Sequence, residues 1–149
     1  MRLKIDLHVH TIYSGDAITR PEEAVSWARR AGLDGLAITD HDTLLGGLKA
    51  LRIGRREGIV VLPGIEVETR GGHVLALGIS EPVKSGLSLA ETLEAIEEAG
   101  GVAVLAHPFS LTAPREKDLR VLRKLDAIEV VNSREILFGF SCRMSRRLA

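Results

Sequence analysis

Short apolar runs alternate with helical patterns along most of this chain. Residues 3–7 (LKIDL) predict a first strand. Thr19 and Glu22 have the spacing of a capping box, and Ala24, Val25, Ala28 and Ala31 then make one apolar helix face, ended by Gly32. Residues 35–39 (GLAIT) read as the next strand. Leu44, Leu48 and Leu51 mark a second helix face, loosened by Gly46, Gly47 and Gly54. Residues 59–62 predict a strand, and 65–68 with 73–79 predict a hairpin around Arg70, Gly71 and Gly72. Ser88 and Glu91 offer another capping box, followed by Leu89, Leu93 and Ile96 on one face and a stop at Gly100 and Gly101. The unbroken apolar run 102–106 (VAVLA) fits a buried strand. Pro114 opens a helix carrying Leu119, Leu122 and Leu125, residues 127–131 form the last visible strand, and the pattern turns helical again from Ser133. Strands alternating with amphipathic helices imply an α/β fold on a mainly parallel sheet, open or closed into a barrel.

Length and composition narrow this further. The 149 residues suffice for one domain with a real core, so 1–149 is read as a single domain. A hydrophobic share of 45% excludes disorder and fibrous repeats. Twenty basic and twenty acidic residues cancel, leaving no net field to attract nucleic acid or an anionic membrane. Any phosphate recognition must therefore be local. The single cysteine, Cys142, has no intrachain partner and points to a reducing compartment. No apolar run approaches the ~20 residues of a membrane span, and residues 1–7 are too short and too charged for a signal peptide. A cytoplasmic protein is expected.

The chemistry lies in five histidines, His8, His10, His41, His73 and His107. His8 and His10 close the first strand, His41 follows the second after Asp40, and His107 follows VAVLA. His73 opens a strand running back against 65–68, which returns it to Glu66. All five then share one edge of the sheet, the C-terminal edge on which α/β folds build their sites. A lone histidine near a strand end is usually a satisfied polar residue, but a core has no use for five titratable groups together. His8 and His10 also point the same way from an extended backbone. Imidazoles with carboxylates suit zinc- or manganese-type ions, and Asp6, Asp16, Asp40, Asp42 and Glu66 supply the carboxylates. Glu66 and Glu68 share a strand face; Glu66 is preferred because it closely follows a turn at Pro63 and Gly64. The arginine clusters at 52–56 and 143–147 read as solvated helix faces.

Four segments carry a family resemblance: Asp6-Leu7-His8-Val9-His10-Thr11, Thr39-Asp40-His41-Asp42-Thr43, Pro63-Gly64-Ile65-Glu66 with His73-Val74-Leu75-Ala76-Leu77-Gly78, and Ala106-His107-Pro108. In this order they resemble the motifs of the PHP (polymerase and histidinol phosphatase) family, nearest its short nucleotide-phosphatase branch. The resemblance implies a distorted (β/α)7-type barrel and two or three divalent ions of manganese, zinc or iron. It implies His8, His10 and Glu66 on one ion, Glu66 with His73 and His107 on a second, and Asp16 with His41 on a third. It also implies a metal-activated water attacking a small phosphomonoester, a nucleotide or a sugar or amino-alcohol phosphate. Asp40 and Asp42 would support that site, and Arg134 would hold a phosphate oxygen. The family's closing Asp-x-His motif is absent, so the barrel and the site are expected to be C-terminally incomplete, whether as a fragment or as a degenerate form. An open edge beside residues 3–7 would invite pairing with another chain. The competing reading is a non-catalytic module that binds metal or a protein partner.

Overall fold

A computed structural model describes residues 2–109 and 116–131 of the chain. They form β1 (Ile5–Val9), α1 (Pro21–Arg30), β2 (Gly35–Ile38), α2 (Leu45–Glu57), β3 (Val60–Thr69), β4 (Gly72–Leu77), α3 (Leu89–Glu98), β5 (Val102–Ala106), α4 (Leu119–Leu122) and β6 (Ala127–Ile128). The strands lie side by side in chain order as one six-stranded sheet. A flat sheet of that width would hold its outer strands about 24 Å apart, at about 4.8 Å per step. Yet Glu129, just after β6, lies 3.0 Å from His8 of β1. The sheet is therefore curled into a half-barrel.

The pairings β1–β2, β2–β3 and β5–β6 are parallel, while β3–β4 and β4–β5 are antiparallel. Three of the five pairings are thus parallel, as the alternation of elements predicts, and the antiparallel ones flank β4. The cause is the hairpin, whose turn is fixed by Thr69. Its hydroxyl donates to the Gly72 carbonyl at 2.6 Å and accepts from the Gly71 N–H at 3.0 Å.

Side-chain alternation divides the core into three clusters. Leu36 and Ile38 of β2 and Val61 of β3 pack with Ala24, Val25 and Ala28 of α1 and Ala50 of α2. Ile65, Val67, Val74, Ala76, Ala103 and Leu105 face Leu89, Leu93 and Ile96 of α3. The remaining positions, Ala37, Leu75, Leu77, Val104 and Ala106, meet on the other face, the inside of the curl. Burying an aliphatic side chain contributes about 1.5–3 kcal/mol, so these clusters hold the strands in register.

Several local expectations change. The cap of α1 lies one residue later than Thr19: the Glu23 carboxylate accepts from the Arg20 N–H at 2.8 Å, and Pro21 takes the first helical position, where its missing N–H costs nothing. The capping box of α3 forms as expected, with Ser88 accepting from the Glu91 N–H at 3.3 Å and Glu91 from the Ser88 N–H at 2.8 Å. The face that α2 buries is Gly46, Gly47, Ala50 and Gly54, with Leu48 exposed. A side chain at Gly47 would stand 3.0 Å from the Pro63 Cα, so small residues let the helix lie close on β3. Pro63 and Gly64 form no turn; they lie inside the continuous β3. The helix expected from Pro114 through Leu125 is, among the described residues, the single turn α4, capped by Asp118 and ending before Leu125. The strand expected over 127–131 keeps ladder pairing only at Ala127–Ile128. Among the described residues, no helix is long and apolar enough to cross a membrane. The segment from Ser133 onward lies outside the described residues.

Candidate metal centre

The topology delivers one polar group after another to a single rim. β1, β2 and β5 end there, leading to His10, His41 and His107. β4 runs the other way and begins there, so His73 faces Glu68 across the hairpin and Ala106 across the β4–β5 ladder. Glu66 shares the inward parity of Glu68 and His73 and is 1% exposed, whereas Glu68 is exposed. Glu66 rather than Glu68 therefore lies among the histidines, although Pro63 and Gly64 make no turn. His107 would face α3 if β5 continued regularly beyond Ala106; a positive φ of 26° turns it to the inner side instead.

Glu66 is the hub. Its Oε2 lies 3.1 Å from His8 Nε2 and 2.9 Å from His10 Nε2, and its Oε1 lies 2.9 Å from His73 Nδ1 and 2.8 Å from His107 Nε2. His41 Nε2 is 3.6 Å from Glu66 and 3.8 Å from Asp16. Asp16 also lies 3.0 Å from His10 Nδ1, with Ser14 Oγ at 3.2 Å from the same nitrogen. Ser14 in turn accepts from the His41 backbone N–H at 3.0 Å, linking the first two motif loops.

Three sets of ligand atoms converge: His8, His10 and Glu66; His10, Asp16 and His41; and Glu66, His73 and His107. Within each set the atoms lie within 4.8 Å of one another. His8 Nε2 and His10 Nε2 face each other at 3.1 Å, close to the about 3.4 Å edge of a tetrahedron with ~2.1 Å metal bonds. A divalent cation between them would satisfy both imidazole nitrogens at once. The donor set and its spacing fit divalent ions of the zinc or manganese type.

The electrostatics agree. Burial opposes a charge on Glu66, but hydrogen bonds from His10, His107, His73 and His8 prevail and hold its carboxyl far below the ordinary range. Burial likewise opposes the charged form of His8, yet hydrogen bonds to Glu129 and Glu66 push its pKa up to about 9. His10 is raised in the same way, with Glu66 and Asp16 overcoming burial, and His73 is raised chiefly by its hydrogen bond to Glu66. Without metal, protons gather where a cation is favoured.

The other predicted residues stand around this cluster. Asp40 is fully buried and accepts from the Thr11 N–H at 2.5 Å and the Thr11 hydroxyl at 2.8 Å. Burial raises its pKa against those hydrogen bonds, and it braces the loop between His10 and Asp16. Asp42, with a positive φ of 55°, accepts a short hydrogen bond from Ser85 at the surface. Asp6 accepts from the His8 N–H at 3.2 Å. Arg134 lies outside the described residues. Glu129 was missed as a site residue. It lies in the middle of the expected strand 127–131, and only because β6 stops at Ile128 does it stand at the rim where the other strands end.

Comparison with known proteins turns on one match: the PHP domain family model covers residues 6–124. This chain belongs to the PHP domain family. Among relatives of this PHP domain is an uncharacterized protein of Methanocaldococcus jannaschii (MJ1587), 35% identical over 141 residues, covering 88% of this chain and 82% of that protein. The 3',5'-nucleoside bisphosphate phosphatase of Chromobacterium violaceum is 36% identical over 114 residues, covering 66% of this chain but 40% of its own length. In fold, the PHP domain is similar to the crystal structure of a candidate metal-dependent phosphoesterase from Bifidobacterium adolescentis, with a TM-score of 0.82 and 19% identity over 99% of this chain and 83% of the other.

Proposed function

We propose that this PHP domain is a metal-dependent phosphatase hydrolysing a small phosphomonoester, a nucleotide or a sugar or amino-alcohol phosphate, in the cytoplasm. The observation that carries the reading is Glu66, a buried carboxylate with histidines from three other strand ends, those of β1, β4 and β5, around its two oxygens. His8, His10 and Glu66 would hold one ion, Glu66, His73 and His107 a second, and Asp16 and His41, joined by His10, a third. When bound, manganese, zinc or iron supplies an acidified water and neutralises charge on the phosphoryl oxygens. The residues keep the donors aimed at one point and shield them from solvent. Asp40 steadies the His10–Asp16 loop through Thr11, and Asp42 ties the second motif loop to Ser85. Arg134 would contact a phosphate oxygen. Self-association through the free edge of β1 belongs to the same proposal; β1 has one strand neighbour among the described residues.

The test is turnover of a generic aryl phosphate and a panel of phosphorylated metabolites with several divalent metals. Glu66→Gln should lower turnover by orders of magnitude while the far-UV spectrum is kept. Undiminished hydrolysis by that variant would exclude the mechanism. Metal uptake by the native protein with no turnover on any substrate favours the non-catalytic alternative.

A further inference from the structure

One half-buried carboxylate at the rim belongs to none of the three ligand sets. Glu129 has a side chain 12% exposed and spends both oxygens on the centre. Oε1 lies 3.0 Å from His8 Nδ1, and Oε2 accepts the His107 backbone N–H at 2.7 Å. Its own N–H donates to the Leu105 carbonyl at 2.9 Å, which pins it to β5. An ionised carboxylate only accepts, so the neutral His8 ring carries its proton on Nδ1 and turns the Nε2 lone pair toward Glu66 and His10. The second oxygen holds the backbone N–H of a residue at a φ of 26°, a conformation that a side chain normally avoids. One group therefore grips ligands from β1 and β5, 99 positions apart in the chain (107 − 8).

We propose that Glu129 is a positioning residue that fixes the His8 tautomer and ties it to His107, so that the ion positions served by His8 and by His107 fill together. The inference rests on the metal-centre reading above. Partners of this kind typically alter metal affinity by about 10- to 100-fold.

Glu129→Gln keeps the shape but leaves one acceptor and one donor where two acceptors stood, so it cannot receive both the Nδ1–H and the His107 N–H. The measurement is zinc titration of the full chain against a chromophoric chelator, with long-range proton–nitrogen NMR of the zinc-loaded protein. In the native protein, His8 should bind zinc through Nε2 and keep a proton on Nδ1, and the two positions should fill in one phase. In E129Q, zinc should bind about 10- to 100-fold more weakly and in two phases. Ser88→Ala, which removes the α3 cap, serves as a destabilised comparator and should leave zinc affinity unchanged. Unchanged zinc binding in E129Q, equal weakening in S88A, or zinc on Nδ1 of His8 in the native protein would each overturn the inference. If E129Q does not fold, the native spectrum still decides by which nitrogen carries zinc. A native protein that takes up no zinc overturns the metal-centre reading as well; a native protein that binds while E129Q matches it overturns the role of Glu129 alone.

Discussion

Alanine at position 46 should cost more stability than its place in a helix suggests. Gly46 lies in the first turn of α2, where helix propensity alone would make alanine better by about 1 kcal/mol. A Cβ there, however, overlaps the Asp40 Oδ2 atom and stands 2.6 Å from Thr11 Oγ1. Those two atoms share a 2.8 Å hydrogen bond in a fully buried setting. Making room means moving the carboxylate off Thr11. A hydrogen bond to a charged group contributes about 1.5–3 kcal/mol, and overpacking costs a further ~1–3 kcal/mol. After the propensity gain, a net loss of about 1.5–5 kcal/mol is expected. Urea denaturation of the metal-free protein, followed by circular dichroism, measures it, with Ser26→Ala on the exposed face of α1 as a control within about 0.5 kcal/mol of native. Because Thr11 sits between His10 and Asp16, G46A should also weaken metal at the position those residues share with His41. A variant as stable as the native protein would refute the packing argument.

The metal-free protein should lose stability as pH rises from about 6.5 to about 9, because the raised pKa of His8 gives a contribution fully present below its ordinary 6.5 and lost through its folded value near 9. Glu66 acts with the opposite sign: its contribution is present above 4.5 and fades only as pH falls through its depressed folded value. Denaturant midpoints that stay flat or climb between pH 6.5 and 9 would contradict the sign assigned to His8. Ser88→Ala should lower stability by about 1 kcal/mol through loss of the cap on the Glu91 N–H, read from the same urea curves. Zinc at about 100 times its dissociation constant should raise the unfolding free energy by about 2.7 kcal/mol, and a chelator should reverse the rise; a midpoint insensitive to both would count against native-state metal binding.

Much of the rim was legible in the sequence because its signals are local. Each histidine stands beside an apolar run, and the run fixes the edge at which its side chain emerges. The pairing of His73 with the Glu66 strand followed from the Arg70–Gly72 turn chemistry alone. What failed depended on distant partners. Pro63 and Gly64 look like a turn, but at Gly64 β3 begins to pair with β4, and a Cβ there would meet the Ala76 carbonyl at 2.7 Å. Leucine spacing gave only part of the face that α2 buries: Leu44 and Leu51 pack inward but Leu48 is exposed, because the close approach to β3 selects glycine and alanine. Glu129 carries no neighbouring histidine to mark it, and only the curl of the sheet brings it to His8.

The Thr69–Gly72 turn also sets which changes of length the domain can absorb. Strand side chains alternate, so a single residue added there would slip β4 by one and send His73 to the side covered by α3, leaving Gly72 in its place opposite Glu68 and Val74 opposite Glu66. One inserted codon at the tip would thus remove a ligand without touching a ligand residue. Added residues within 79–85 leave the β3–β4 ladder untouched. Over generations of insertion and deletion, growth should therefore collect in that connection and spare the tip.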